Sequence, residues 1–144
     1  MGVYKIPVKI KLVSEIREKG QKMETIVEES GKYFRHGEKN VLTFTEHGED
    51  QDVIDSLVTI QADKVSVKRS GSVDMHQVFK KKQTTENVYR HTYGTILMET
   101  YTDQITYQQL TEGKTGKLFI SYKTKLNGES ERRHRLTLTF KERA

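Results

Sequence analysis

Several residue types that shape small proteins are missing or nearly missing from this chain of 144 residues. It has no cysteine and no tryptophan, and Pro7 is its one proline. Without cysteine, the chain cannot form disulfides or bind a metal through thiolates. A small secreted barrel commonly carries disulfides, so we expect a cytoplasmic protein. No proline-rich linker divides the sequence, and we expect a single domain over residues 1–144.

Long apolar runs are also absent. No stretch approaches the ~18 apolar residues of a membrane helix, and the opening MGVYKIPVKIKL lacks the apolar segment of a secretory signal. We therefore expect no membrane partner. Hydrophobic residues make up 33% of the chain and charged residues 31%, yet seven tyrosines, five phenylalanines and 16 threonines are present. Disordered chains are poor in aromatic and β-branched residues, so the sequence indicates a folded protein.

The dominant pattern in the sequence is alternation of apolar and polar residues. Its period of two is typical of β-strands that bury one face. It is clear in the first strand (Val8, Ile10, Leu12, Ser14, Ile16), on both sides of Ser70-Gly71-Ser72, and in the two strands around Asn127-Gly128. The spacing predicts nine or ten short strands, with residues 103–116 open to either a strand or a helical turn. Gly31 suggests a bulge or kink in the second strand. Consecutive strands with short turns favour an all-β fold, a closed antiparallel barrel.

Four segments of the sequence are similar to a known bacterial family. KRSGSVDMHQVF, YRHTYGTILMET, GKLFISYKTKLNGE and RLTLTF occur in the order and spacing of the YwiB-like proteins of Gram-positive bacteria. The resemblance extends from about Val8 to Glu142 and is best between Val65 and Tyr122. It implies a calycin or lipocalin-like β-barrel of about eight to ten strands. The family brings no activity to carry over, and ligand binding by other calycin barrels is an analogy of fold alone.

Arg69 is the first candidate site residue, because it follows Val65 and Val67 in the inward phase of its strand. An isolated buried charge is costly, so the guanidinium must be paired, hydrogen-bonded or solvated. One interpretation is a structural arginine paired with turn carbonyls, Asp55 or Asp74. A second is a guanidinium that binds the anionic head of a ligand at the cavity entrance. A third is a strand end whose twist places Arg69 in solvent.

Tyr89, His91 and Tyr93 form a second candidate group, since they share one phase and would line an interior strip. Gln77 and Tyr122 would lie nearby. These residues form either a core row with satisfied polar tips or a pocket that holds a small amphipathic ligand. A single histidine is a weak indication of acid–base catalysis.

The last predicted hairpin carries a basic outer face. Pairing about residue 129 would place Lys123 opposite Arg135 and Lys125 opposite Arg133, and like charges directly opposite are unfavourable. This face is either solvated surface or a binding site for RNA, another polyanion or an acidic protein. Net charge is +5, with residues 1–50 neutral, which permits such a partner without requiring it.

Catalytic and metal-binding motifs are missing from the sequence. His36, His47, His76, His91 and His134 show no short ligand spacing, and there is no G-x-S-x-G motif or glycine-rich phosphate loop. We expect no cofactor and no metal, and a binding protein rather than an enzyme. The leading hypothesis is a barrel that holds a small, anionic amphipathic ligand. A polyanion-binding module is the alternative, and a filled, dimerising barrel is a third interpretation, with the oligomeric state left open.

Overall fold

The chain forms a closed antiparallel barrel of ten strands in a computed structural model. The structure describes residues 5–47, 52–91, 93–111 and 115–143, and only the backbone of His91. In chain order the strands are β1 Ile6–Glu18, β2 Gln21–His36, β3 Lys39–His47, β4 Val53–Ile60, β5 Lys64–Gly71, β6 Asp74–Lys80, β7 Thr84–His91, β8 Gly94–Gln108, β9 Gly116–Leu126 and β10 Arg132–Glu142. Each strand pairs with its neighbours in sequence, and β1 closes the barrel against β10. The predicted all-β barrel is confirmed.

The period-two pattern sets which face of each strand is buried. Val8 and Ile10 of β1, Val65 of β5 and Leu138 of β10 are almost fully buried, while their sequence neighbours point outward. Residues 103–108, for which a helical turn was the alternative, belong to β8. A β-bulge in this strand, between Thr102 and Gln104, shifts the register of its pairing with β9. The polar stretch HGEDQD between β3 and β4 lies largely outside the described residues.

Gly31 is explained by a close approach of strands rather than by a bulge. It pairs with Val8 on one side and with Phe44 on the other, without a register shift. A Cβ at this position would lie 2.4 Å from the Thr43 carbonyl oxygen, which is too close for any side chain. The pairing of β2 with β3 also ends at Gly31, so residues 21–30 of β2 pair with β1 alone.

The two ends of the barrel differ in how they are filled. The closed end, where β1 begins and β10 finishes, is packed around a buried cluster that includes Tyr33, Ile60, Phe79 and Phe140. The rings of Tyr33 and Phe140 are 5.3 Å apart. The opposite end, which we call the mouth, lies where β1 ends and β10 begins. The β5–β6 hairpin also turns at the mouth, and Gly71 there has a φ of 119°, which favours glycine.

Candidate functional site

A cavity of about 300 Å³ occupies the mouth half of the barrel interior. Its walls are mainly apolar and include Leu12, Val27, Val58 and Leu136 from four different strands. These side chains point inward because they continue the alternation that fills the closed end. The volume lies at the lower limit of about 300–1,000 Å³ that ligand pockets commonly have. The interior can therefore hold a small molecule, but not a long lipid chain.

Arg69 lines the cavity and forms an ion pair with a glutamate two strands away. Its Nη2 donates a hydrogen bond to Glu46 Oε2 at 3.0 Å, and the Ser56 hydroxyl donates to the same oxygen at 3.0 Å. The Arg69 side chain is 29% exposed and that of Glu46 is 15% exposed. Within the described residues, this is the one side-chain ion pair of Arg69. A guanidinium has five N–H donors, so the bond to Glu46 leaves others for further partners.

The partners that sequence proximity suggested for Arg69 are wrong. Asp55 accepts a hydrogen bond from the Thr45 hydroxyl at 2.9 Å, and Asp74 pairs with Arg90 on the outside of the barrel. Both aspartates have the outward phase of their strands, whereas Arg69 points inward. Side chains on opposite faces of a sheet cannot meet, however near they are in sequence.

Sequence reasoning missed Glu46 and Ser56, although one signal was available. Leu42, Phe44 and Glu46 share a phase in β3, and the first two are buried, so Glu46 was an inward carboxylate at the strand end. What the pattern could not supply is the register that places Ser56 opposite both Phe44 and Arg69. That register brings the three polar side chains together at the mouth.

Tyr122 and His134 form an aromatic wall beside the cavity. Their rings stack at 4.5 Å with planes 4° apart, and Tyr122 also meets Phe79 edge to face at 4.7 Å. Burial raises the pKa of the Tyr122 hydroxyl, and the Arg69 guanidinium offsets part of that rise. Burial lowers the pKa of His134 to about 4, and the charge of Arg132 adds to this effect. His134 is therefore neutral near pH 7.

Gln77 lies in the cavity wall, as its phase predicted. It is buried, and its amide nitrogen donates to the Thr100 hydroxyl at 3.0 Å. Nearby on β7, both side-chain amide atoms of Asn87 are buried without a hydrogen-bond partner among the described residues. Asn87 lies where the β6–β7 ladder has already ended, since that ladder contains only the pairs Asp74–Arg90 and Met75–Tyr89. The barrel wall formed by β6, β7 and β8 therefore carries buried polar side chains.

The interior strip expected from Tyr89, His91 and Tyr93 does not form as predicted. Tyr89 is half-buried and opposite Met75, so it has the inward phase. Tyr93 is 92% exposed and lies in the turn before β8, so its expected inward position is wrong. Strand β7 ends at His91, and the alternation therefore stops before Tyr93. The side chain of His91 lies outside the described residues.

The basic outer face exists, but its pairing differs from the expected one. Arg133 lies opposite Lys123, Arg135 lies opposite Ser121, and Lys125 lies opposite Glu99 of β8. The paired residues are centred on residue 128 instead of 129, so the partner of each β9 residue is shifted by two residues from the expected one. A shift by two preserves the faces, so these cations still point outward.

The mouth also has a lateral seam between β2 and β3. Beyond Gly31 the two strands no longer pair, and Nδ1 of His47 lies 3.6 Å from Oε2 of Glu29. The cavity-lining residues Thr25 and Glu46 lie on the two sides of this seam.

Among the described residues, no group of three or more histidine and acidic side chains is placed to hold a metal ion. In the same part of the chain, no helix is long and apolar enough to cross a membrane.

Comparisons with known proteins agree with this architecture. The model of the family described as a domain of unknown function (DUF1934) matches residues 10–138. The uncharacterized beta-barrel protein YwiB of Bacillus subtilis (strain 168) is 26% identical over 134 residues, which cover 93% of this chain and 92% of that protein. The crystal structure of the ywiB protein matches with a TM-score of 0.86 at 24% identity, covering 97% of this chain and 94% of that chain. The YwiB-like resemblance is confirmed.

Proposed function

We propose that this chain, which belongs to the DUF1934 family, binds a small amphipathic ligand. The ligand would lie in the mouth half of the barrel. The observation that carries the proposal is the cavity of about 300 Å³ whose apolar walls end at Arg69 and Glu46. Ligand pockets commonly combine such walls with a few placed polar groups. The protein would act in the cytoplasm, as its lack of cysteine suggests.

The apolar part of the ligand would lie against Leu12, Val27 and Leu136, where its burial replaces contact with water. Its polar head would lie at Arg69, with Gln77 and Tyr122 next to it. A guanidinium presents several N–H donors in one plane, so a head with two oxygens, such as a carboxylate, can bind beside Glu46.

Glu46 limits the net positive charge at the mouth and thereby limits the negative charge of a ligand that can bind there. Because Arg69 and Glu46 compensate each other, an anionic head must share the guanidinium with Glu46 or displace it. We therefore expect single-charged amphipaths to bind better than multiply charged ones.

Titrating decanoate and decanol into the purified protein tests this function, with native mass spectrometry of the untreated protein to find a co-purified ligand. Arg69→Met should weaken decanoate binding about tenfold or more and leave decanol binding nearly unchanged, because only the anion uses the guanidinium. Arg90→Met, on the outer surface, is the matched control.

Filling the cavity provides the second arm of the test. Ser14 lines the cavity, and Ser14→Leu should abolish binding of both compounds. Binding that survives Ser14→Leu, or no binding of either compound by the wild-type protein, would refute the cavity as the site. Equal decanoate affinity in the Arg69→Met and wild-type proteins would refute the role of Arg69.

A further inference from the structure

A row of four cations crosses the outer wall of the barrel near the mouth. Lys22 of β2 lies opposite Arg17 of β1, Arg17 lies opposite Arg133 of β10, and Arg133 lies opposite Lys123 of β9. Adjacent strands are about 4.8 Å apart, so the row extends roughly 14 Å around the wall. We call Lys22, Arg17, Arg133 and Lys123 the outer cationic row. It joins the first hairpin to the last one and is visible only once β1 pairs with β10.

Like charges directly opposite each other destabilise a sheet, so the row needs compensation. Glu15 supplies part of it, with its Oε1 2.8 Å from Arg17 Nε and 3.9 Å from Lys22 Nζ. The hydrogen bond from Arg17 holds the Glu15 pKa below its usual value. Asp103 lies near the other end, where its carboxylate accepts a hydrogen bond from Lys82 Nζ at 2.9 Å. Lys82 lowers the pKa of Asp103, and the charges of Lys123 and Arg133 lower it further, so Asp103 also offsets part of the charge of the row.

Arg133 and Lys123 are left without an ion pair among the described residues, and Arg135 adds a further positive charge beside them. Arg133 and Arg135 are exposed, and Lys123 is partly exposed. A surface depression of about 120 Å³ lies among these three cations and Arg17, and the carboxylates of Glu15 and Asp103 also line it. Four cations thus face two carboxylates, which leaves an excess of positive charge at the centre of the row.

The row ends at an aromatic side chain. Lys123 lies opposite Tyr101 of β8, and Phe119 has the same outward phase further along β9. Both rings are partly exposed. A line of cations next to exposed aromatic rings is the arrangement that binds single-stranded nucleic acid, in which phosphates meet the charges and bases stack on the rings.

We propose that the outer cationic row, with Tyr101, binds single-stranded nucleic acid without sequence specificity. This site lies on the outer face and does not depend on the interior cavity, so either function can fail while the other holds. RNA and DNA share the phosphate chemistry, and the experiment separates them.

The test measures fluorescence anisotropy of short labelled oligo(U) and oligo(dT) with the full chain. Binding should weaken with salt, with a slope of log K against log salt of about −0.7 for each phosphate contacted, or about −3 for the whole row. Arg133→Glu should reduce affinity at least about tenfold at about 50 mM salt. The variant should fold well, since the new carboxylate lies between Arg17 and Lys123.

Lys141→Glu is the matched control, because Lys141 lies on the same strand and faces Lys9 at the closed end. Its affinity should stay within about twofold of wild type, apart from the small effect of net charge. Tyr101→Ser should weaken binding about fivefold or more through lost stacking. Preference for oligo(U) over oligo(dT) would assign RNA, and equal affinity would assign single strands of either kind; both support the site.

Other outcomes would overturn the proposal. These are no binding of either oligonucleotide at low salt, equal losses in Arg133→Glu and Lys141→Glu, or poly-glutamate binding as tightly as oligo(U) with no effect of Tyr101→Ser. The last result would instead identify an acidic protein as the partner.

Discussion

At the closed end of the barrel, Tyr33, Ile60 and Phe140 fill the space between the strands, whereas at the mouth β3, β4 and β5 carry Glu46, Ser56 and Arg69. Both ends use the same alternation of inward and outward residues. They differ in what the inward positions contain: large apolar side chains at one end, and shorter or charged ones at the other. Packing that stabilises the barrel is therefore concentrated at the closed end, and the mouth encloses the cavity.

Buried polar groups occur in both regions. At the closed end, the Tyr33 hydroxyl donates to the Asn40 side chain, while the buried hydroxyls of Thr102 and Tyr107 have no hydrogen-bond partner among the described residues. At the mouth, Arg69 makes one side-chain hydrogen bond among the described residues, to Glu46, which leaves other donors of its guanidinium for solvent or a ligand. The two regions therefore differ in the charged pair at the mouth, and not in how completely their polar groups are satisfied.

Replacing one leucine in each region should give the largest difference between the two ends. Leu138 is 1% exposed in the core cluster, and Leu136, two residues earlier on β10, is partly buried beside the cavity. Leu138→Ala should lower the free energy of unfolding by about 3–5 kcal/mol and Leu136→Ala by about 1–2 kcal/mol, because the second side chain already borders open space. Urea denaturation measures both. Equal losses would show that the mouth is packed as tightly as the closed end.

Sequence patterns predicted which rows of residues face inward in both regions, but not which polar side chains meet at the mouth. Alternation identified the inward rows, including Arg69 and Gln77, because the side-chain period of a strand is set locally. Pairing partners were not predictable in the same way. Glu46 and Arg69 lie on strands that do not pair directly, and their contact depends on the registers of β3, β4 and β5 together.

Turns account for the other errors of the sequence analysis. In the sequence, Tyr93 continues the alternation that includes Tyr89. In the structure, β7 has already ended at His91, and Tyr93 lies in a turn. In the last hairpin, Asn127 and Gly128 both have positive φ, as their sequence predicted, yet the paired residues are centred on residue 128 instead of 129. The outer cationic row was also not predicted from the sequence. Lys22 and Arg17 lie in the first hairpin and Arg133 and Lys123 in the last one, and only the pairing of β1 with β10 brings them together.

His134 offers a prediction of intermediate size on the mouth region. Its pKa is about 4 in the folded protein, against about 6.5 in the unfolded chain, so protons bind the unfolded state more strongly. Its contribution to stability is complete above about pH 6.5 and is lost as the pH falls towards 4, up to about 3 kcal/mol in total. Chemical denaturation across this range measures the loss.

His134→Gln is the control for the pH effect, since glutamine does not titrate and can still hydrogen-bond the Thr124 hydroxyl, which lies 2.7 Å from His134 Nε2. Its stability should change little between pH 6.5 and pH 5. Glu15 and Asp103, whose pKa values are held below normal by Arg17 and Lys82 respectively, lose their contributions only at lower pH. If the wild type and the variant lose stability in parallel from pH 6.5 to 5, His134 is not the cause.

The smallest expected effect concerns the ion pair at the mouth, measured against an ion pair outside the barrel. A double-mutant cycle with Arg69→Met and Glu46→Leu should give a coupling energy of about 1 kcal/mol, because both side chains are largely enclosed. The same cycle on Arg90 and Asp74, which are 3.7 Å apart and about two-thirds exposed, should give a coupling near zero. Added salt should weaken the first coupling only slightly, since enclosed pairs are screened less. Equal couplings in the two cycles would mean that water reaches the mouth freely, and the contrast between an enclosed mouth and an ordinary surface would then be lost.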